Sequence, residues 1–222
     1  MSVNYNMKSY KVKKRKKKLK LSREKITDIK QIVGLSELND LEELDLSKNE
    51  ISKIHGLETL QNLRILNLNK NNIEKIEGLE NLTNLEELNL SNNNLKKIEW
   101  LDTLKNLKTL KLDNNQIKKM EGLENLKNLK TLDLGYNPYR EIEGLENLSN
   151  LEKIKFSITE TPLQHQLRLN GVIIPREMCK VLGLSLNRRK RILDAQRFVE
   201  YCQHKKERRQ DSPYAPWYDF TF

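Results

Sequence analysis

Residues 85–101 read LEELNLSNNNLKKIEWL, a stretch in which three consecutive asparagines lie among leucines, shortly before a tryptophan. The middle asparagine, Asn93, belongs to a series with a fixed step of 22 residues. The other members of this series are Asn49, Asn71, Asn115 and Asn137. A constant period of this length is typical of stacked supersecondary units, so it determines the fold class before any local pattern is considered.

Apolar residues keep the same 22-residue step as the asparagines. One column contains Leu44, Leu66, Leu88, Leu110, Leu132 and Ile154, and the column two residues later contains Leu46, Leu68, Leu90, Leu112, Leu134 and Phe156. The unit reads LxxLxLxxNxIxxIxGLxxLxN, which resembles the leucine-rich-repeat family in its 22-residue form. Bacterial internalins, a regulatory subunit of protein phosphatase one and an axonemal dynein light chain carry similar repeats. The resemblance covers residues 41–156 and implies an α/β solenoid that binds protein partners.

Each half of the unit predicts its own local structure. In the LxL element, as at Leu88 and Leu90, the leucines face inward and the intervening residue faces solvent, because side chains alternate along a strand. Strands of successive units then stack in parallel on the concave face. The inward asparagine can satisfy buried turn backbone, so we expect an asparagine ladder. Apolar spacings of three, as in residues 73–82, predict short helical or 3-10 returns on the convex face.

Trp100 occupies a position at which most repeats have a glycine. The glycines are Gly56, Gly78, Gly122 and Gly144, and they predict a turn that needs positive φ or close backbone approach. Trp100 either packs against its neighbours on the outer surface or is an exposed aromatic anchor for a partner.

Composition argues against an enzyme, a membrane protein and a metalloprotein. The sequence has no run of 18 apolar residues and no apparent secretory signal, so we expect an intracellular protein, cytoplasmic or nuclear. Its two cysteines, Cys179 and Cys202, lie outside the repeats and are expected to be free thiols. The three histidines are scattered, and no phosphate loop or nucleophile motif occurs. We therefore expect no catalytic residue, metal or cofactor.

Charge is concentrated at the two ends of the chain. Residues 1–30 carry a net charge of +10, residues 31–150 carry −6, and residues 151–222 carry +6. We predict a basic tail over residues 1–18 and a degenerate N-terminal capping repeat over residues 19–40. The lysine run is either a solvated tail or edge that deters strand pairing, or a contact for nucleic acid, an acidic partner or an anionic surface. The candidate contacts here are Lys16, Lys17 and Lys18.

The pattern changes after the repeats, which are expected to span residues 41–160. Residues 161–210 predict a helical C-terminal cap, with an amphipathic helix from about residue 186 to 206 covering the open end of the solenoid. Within this predicted cap, residues 177–192 resemble a helix-turn-helix segment, and that resemblance implies DNA contacts. These candidate contacts are Arg188, Arg189, Lys190 and Arg191.

The last segment, residues 211–222, is rich in aromatic residues and includes Pro213 and Pro216, which disfavour a regular helix. It either folds back onto the protein or binds a partner through aromatic anchors. The candidate anchors are Tyr214, Trp217, Tyr218 and Phe220.

Our leading functional hypothesis is a non-enzymatic protein–protein interaction scaffold or adaptor that uses the concave face. The outward-facing candidates are Glu43, Asp45, Ile65, Asn67, Glu87, Asn89, Thr109, Lys111, Thr131, Asp133, Tyr136, Lys153 and Lys155. They predict a surface that runs from acidic, through amides, to basic, which would orient a partner of opposite gradient. The alternatives are a nucleic-acid-associated protein that uses both basic ends, and a structural subunit of a larger assembly.

Overall fold

The structure is a computed structural model that describes residues 1–13, 17–138, 141–142, 145, 147–155 and 192–194. In these ranges the regular elements are short strands, together with two 3-10 helices at Ile29–Gln31 and Leu35–Glu37. The strands are β1 (Ser2–Tyr5), β2 (Lys8–Lys11), β3 (Lys18–Lys20), β4 (Glu43–Asp45), β5 (Ile65–Asn67), β6 (Glu87–Asn89), β7 (Thr109–Lys111), β8 (Lys119–Met120), β9 (Thr131–Asp133), β10 (Glu141–Ile142), β11 (Lys153–Lys155) and β12 (Ile192–Asp194).

One eight-stranded sheet runs the length of the solenoid in the order β12-β11-β9-β7-β6-β5-β4-β3. From β3 to β11 all neighbouring strands are parallel, and the central leucines of the repeats pair with one another, as Leu66 does with Leu44 and Leu88. The predicted parallel stack of 22-residue units is therefore confirmed. Its register follows from the sequence, because a shift by one residue would turn every inward leucine to solvent.

The core is a continuous column of leucine and isoleucine side chains between the sheet and the returning segments. All the central strand leucines, such as Leu66 and Leu88, are at most 1% exposed. The return segments contribute equally buried residues, including Ile73, Ile76 and Leu79. Each repeat buries this apolar set only against its neighbours, which is why the stack needs a cover at each end.

The return segments turn by i→i+3 backbone hydrogen bonds, as the spacing of three predicted. Leu60 donates to the carbonyl of Leu57 at 3.0 Å, and Leu63 donates to that of Leu60 at 2.9 Å. The same pair of bonds recurs 22 residues later. In addition, β8 and β10 form a small parallel pair between two consecutive return segments.

The N-terminal end of the stack is covered by an antiparallel hairpin, β1–β2, where we had expected a basic tail over residues 1–18. Val3 is fully buried in the core, and Asn4 and Val33 exchange backbone hydrogen bonds of 3.0 and 2.9 Å. Asn6 and Met7 form the turn with φ of 47° and 61°, as a tight hairpin requires. The expectation of a tail is corrected for residues 1–13, because the open end of the first repeat offers an apolar surface and a backbone partner.

The C-terminal edge of the sheet is paired by β12, which runs antiparallel to β11. The predicted helix over residues 186–206 is therefore wrong at Ile192–Asp194. The free edge of β11 presents unpaired backbone groups, and hydrogen bonding to that edge outweighs the local helical pattern. The remainder of the expected helical cap, including both cysteines, and the aromatic tail lie outside the described residues.

Candidate functional site

An asparagine ladder fixes the turns that follow β4, β5, β6, β7 and β9, as predicted. The side-chain amide of Asn93 donates to the carbonyls of Leu68 and Leu90, both at 3.0 Å, and its oxygen accepts from the backbone N–H of Ile73 at 3.0 Å. Equivalent bonds form at Asn49, Asn71, Asn115 and Asn137. The first four asparagines are buried and Asn137 is half-buried. Because each amide joins two repeats, the outward side chains of adjacent strands are held at constant spacing.

The concave face carries the outward side chains of this sheet. Twelve of the thirteen concave-face candidates are the first or third residue of β4, β5, β6, β7, β9 or β11. The structure therefore brings them onto one continuous surface. The thirteenth, Tyr136, lies three residues beyond β9, at the rim of that surface, and is 62% exposed.

Aspartate and asparagine side chains at the third strand position bind the turn that follows. The Oδ1 atoms of Asn67 and Asn89 accept backbone hydrogen bonds from Asn69 and Ser91, at 3.1 and 3.0 Å. Asp45 accepts from Ser47 in the same way. The Nδ2 groups of Asn67 and Asn89 donate to no described residue. These two neighbouring amides therefore present unused donors at the centre of the concave face.

Ion pairs change the charge pattern that the sequence predicted for the concave face. At one end Lys18 of the capping strand pairs with Glu43 at 2.5 Å, and at the other Lys155 pairs with Asp133 at 2.9 Å. The acidic-to-basic gradient is thus attenuated at both ends. Within the described residues, Glu87 and Lys111 form no ion pair. The middle of the face consequently carries exposed charges of both signs.

A row of residues in the left-handed conformation borders the concave face, a feature that was not among the predictions from sequence. The residue before each ladder asparagine has φ between 52° and 58°. The row consists of Lys48, Lys70, Asn92, Asn114 and Tyr136. Asparagine tolerates this conformation, whereas lysine and tyrosine are less common there. The turn that leads into each buried asparagine imposes the left-handed conformation on the residue before it. The sequence signal for this row is therefore the dipeptide KN, NN or YN, repeated every 22 residues.

A shallow cavity of about 520 Å³ lies on the flank of the solenoid where the chain enters the strands, and paired charges line it. Glu86 bridges Arg64 and Lys108, both at 2.6 Å. The hydrogen bond from Lys108, and then that from Arg64, lower the pKa of the Glu86 carboxyl. A carboxylate held ionised between two cations is a poor general acid or base at neutral pH. No group of three or more metal-ligating side chains occurs within the described part of the chain.

Only some of the candidate residues outside the concave face lie within the described residues. Trp100 is 59% exposed, with φ of 61°. Lys17 pairs with Glu42 at 2.9 Å and Lys18 pairs with Glu43, so neither is a free cation. The remaining candidate nucleic-acid contacts and aromatic anchors lie outside the described residues. They are Lys16, Arg188, Arg189, Lys190, Arg191, Tyr214, Trp217, Tyr218 and Phe220.

Comparison with known proteins agrees with this architecture. The family profile for Leucine Rich repeats (2 copies) matches residues 39–81, 61–103, 83–125 and 105–147. These overlapping segments span residues 39–147, and over this range the chain is similar to the leucine-rich-repeat family. A comparison with curated protein sequences found no significant match. Within the described residues, no helix has the length and hydrophobicity needed to cross a lipid bilayer.

Solved structures of several repeat proteins are similar to this chain. Internalin C2 from Listeria monocytogenes is 28% identical with a TM-score of 0.49, and the match covers 66% of this chain and 75% of the internalin. A Leptospira interrogans leucine-rich-repeat protein is 28% identical with a TM-score of 0.51, covering 62% and 37% of the two chains. TLR13, in its complex with ssRNA13, is 28% identical with a TM-score of 0.54, covering 63% and 21%. The chain thus matches only a minor part of the latter two proteins.

Proposed function

We propose that this protein is a non-enzymatic scaffold or adaptor whose concave face binds a protein partner. One observation carries the proposal: the rigid centre of that face holds side chains whose bonding capacity the fold leaves unused. Asn67 and Asn89 have free amide donors, and Glu87 and Lys111 have no ion-pair partner among the described residues. The regular spacing imposed by the asparagine ladder preorganises these groups, which lowers the entropic cost of binding.

The chemistry of the surface favours a folded or extended polypeptide as the partner. Ile65 is half-exposed beside the two free amides and offers an apolar contact. Amide donors pair with backbone carbonyls, and Glu87 and Lys111 can select opposite charges on the partner. Tyr136 at the rim is an exposed aromatic side chain of the type that often dominates interface energies. An intracellular location is part of this proposal, supported by the absence of cysteine from the repeats.

The decisive experiment exchanges charges without changing the net charge. The double variant Glu87→Lys, Lys111→Glu inverts the centre of the concave face. The matched control, Glu74→Lys, Lys96→Glu, exchanges exposed charges at equivalent positions of two adjacent return segments. Partners captured from cell lysate by the wild type are purified, and their affinities for all three proteins are measured by calorimetry. We expect the concave variant to lose affinity and the control to retain it; equal affinities for both variants would refute the concave-face proposal.

A nucleic-acid-associated function is the second candidate, and one observation favours it. Arg23, Lys48 and Lys70 are exposed along the rim near the N-terminal end, and none of them forms an ion pair within the described residues. A repeat protein of similar fold is TLR13, solved in its complex with ssRNA13. Salt-dependent binding to RNA and duplex DNA tests this, because phosphate contacts make affinity fall steeply with salt. Affinity that survives replacement of these three cations by glutamine would exclude the rim as the site.

A further inference from the structure

Trp100 interrupts a row of glycines on the edge of the return segments. Gly56, Gly78 and Gly122 occupy the equivalent position in other repeats, with φ of 78°, 70° and 75°. Trp100 adopts the same left-handed conformation, with φ of 61°. A bulky side chain is rarely found there, because its Cβ crowds the backbone. The backbone conformation at this position therefore disfavours tryptophan.

The neighbouring repeats show how little space this position offers. A Cβ added to Gly78 would lie 2.3 Å from the carbonyl oxygen of Ile54, and one added to Gly122 would lie 2.4 Å from that of Ile98. Trp100 lies in the repeat between them, where a side chain has to be accommodated at the same position. At 59% exposure, most of the indole is in contact with solvent. Packing within the fold thus offsets the backbone strain only in part.

Acidic residues flank Trp100 in its own repeat and flank the equivalent glycine in the repeat on either side. The residue before the glycine position is Glu77, Glu99 or Glu121, and the residue two places after it is Glu80, Asp102 or Glu124. Adjacent repeats bring these residues close together, as shown by the 3.6 Å between the added Cβ of Gly122 and the backbone nitrogen of Glu99. Glu80, Asp102 and Glu124 accept hydrogen bonds from the fold itself. Glu77, Glu99 and Glu121 form no ion pair within the described residues, so their negative charge is available to a ligand.

We propose that Trp100, with Glu77, Glu99 and Glu121, forms a second docking site, which binds an arginine-bearing basic peptide segment of a partner protein. A guanidinium group can stack on the indole face and donate charge-assisted hydrogen bonds to the carboxylates. Phosphate-rich ligands are disfavoured, because the same carboxylates repel them. This site is on the return side of the solenoid, so it is independent of the concave face.

Fluorescence gives a direct test, because Trp100 and Trp217 are the two tryptophans of the chain. In the full-length Trp217→Phe variant, emission reports Trp100 alone. Titration with a synthetic arginine-rich peptide is expected to change this emission saturably. Dissociation constants of all variants are then measured by the anisotropy of the labelled peptide. Trp100→Gly should weaken binding by about five- to tenfold, a range consistent with loss of a cation–π contact.

A pair of matched variants separates a local site from general attraction to an acidic surface. Glu77→Gln, Glu99→Gln, Glu121→Gln should weaken binding, whereas Glu37→Gln, Glu50→Gln, Glu152→Gln, which removes the same charge elsewhere, should leave it nearly unchanged. Trp100→Phe should bind with intermediate affinity. Circular dichroism confirms that each variant is folded.

Several outcomes would overturn the proposal. They are unchanged peptide affinity in Trp100→Gly, equal weakening by both glutamine triples, or a Trp100 response to anionic vesicles but not to the peptide. Self-association in sedimentation velocity that requires Trp100, without peptide binding, would assign the surface to a second copy of this chain instead.

Discussion

Asn93 accepts a hydrogen bond from the backbone N–H of Ile73 in the preceding repeat, at 3.0 Å, while its own amide group donates to carbonyls on both sides. A single buried side chain thus bonds the backbone of two adjacent turns of the solenoid and joins them. This relationship explains why an amide recurs among leucines with the period of the fold.

Asn93→Leu should therefore destabilise the protein although leucine is abundant around it. The substitution leaves the buried N–H of Ile73 without a partner. The carbonyls of Leu68 and Leu90 lose one donor each and keep the bonds from Asn71 and Asn115. Because an unsatisfied buried group costs about 1–3 kcal/mol, we expect a loss of about 1–3 kcal/mol in the free energy of unfolding, measured by urea denaturation. Asn137→Leu, at the half-buried end of the ladder, should cost less. Equal stability of Asn93→Leu and wild type would show that the ladder contributes no net stability.

The periodic part of the molecule was predictable from the sequence because its determinants are local and repeated. The spacing of leucines and asparagines specifies the strand, the inward face and the parallel register within one 22-residue unit. The same information fixes which side chains lie on the concave face. Their electrostatics were less predictable, since the Lys18–Glu43 and Lys155–Asp133 pairs depend on how side chains of adjacent strands are oriented.

Both ends of the solenoid differed from the sequence prediction for a related reason. The lysines of residues 8–18 favoured a tail, although Val3 and Tyr10 are paired across a hairpin and Val3 is in the core. The alternation of apolar residues in this segment is visible in the sequence, but the surface that it covers exists only once the first repeat has folded. Likewise, Ile192–Asp194 forms a strand because β11 offers a free edge, which the helical pattern of that segment cannot reveal.

Glycine substitutions should separate backbone strain from steric conflict. Gly34→Ala places a Cβ at an ordinary 3.5 Å from its nearest backbone atom, the carbonyl oxygen of Ser2, so only the φ of 84° opposes it. Its expected cost is about 1–2 kcal/mol. Gly78→Ala adds a Cβ 2.3 Å from the Ile54 carbonyl oxygen at a φ of 70°. We expect Gly78→Ala to lower the thermal midpoint clearly more than Gly34→Ala does, and the reverse order would contradict the proposed contact.

Trp100→Gly should have the opposite effect on stability. Glycine removes the left-handed strain of a bulky residue, which is worth roughly 1–2 kcal/mol, and the lost indole is mostly exposed. We therefore expect the free energy of unfolding to stay constant or to rise by up to about 1 kcal/mol. Chemical denaturation of the wild type and Trp100→Gly measures this. A clear loss of stability would indicate that the indole contributes packing that outweighs its strain.

Acid should weaken the flank through Glu86, whose lowered pKa reflects hydrogen bonds from Lys108 and Arg64. A carboxyl whose pKa is lower in the folded state stabilises the protein above its unfolded pKa, and this contribution is lost as the pH falls through the folded pKa. The affected range therefore lies below the ordinary glutamate value of 4.5. As the pH falls from neutral into that range, the free energy of unfolding should decrease less in Glu86→Gln than in the wild type. Identical pH profiles of the two proteins would show that the two ion pairs contribute nothing.

Alkaline pH should act at the other end of the molecule, through Tyr10 in the N-terminal hairpin. Burial of its hydroxyl, followed by the nearby Glu24 carboxylate, raises the Tyr10 pKa from 10.0 to about 12. A group whose pKa is raised on folding contributes stability fully below its unfolded pKa and loses it as pH rises through the folded pKa. The hairpin should therefore weaken between about pH 10 and 12. Because Tyr10→Phe removes the titrating hydroxyl, this variant should reduce the alkaline loss. Thermal unfolding at a series of pH values, with Tyr5→Phe as the control, measures both effects, and an alkaline loss that persists in Tyr10→Phe would assign it to another group.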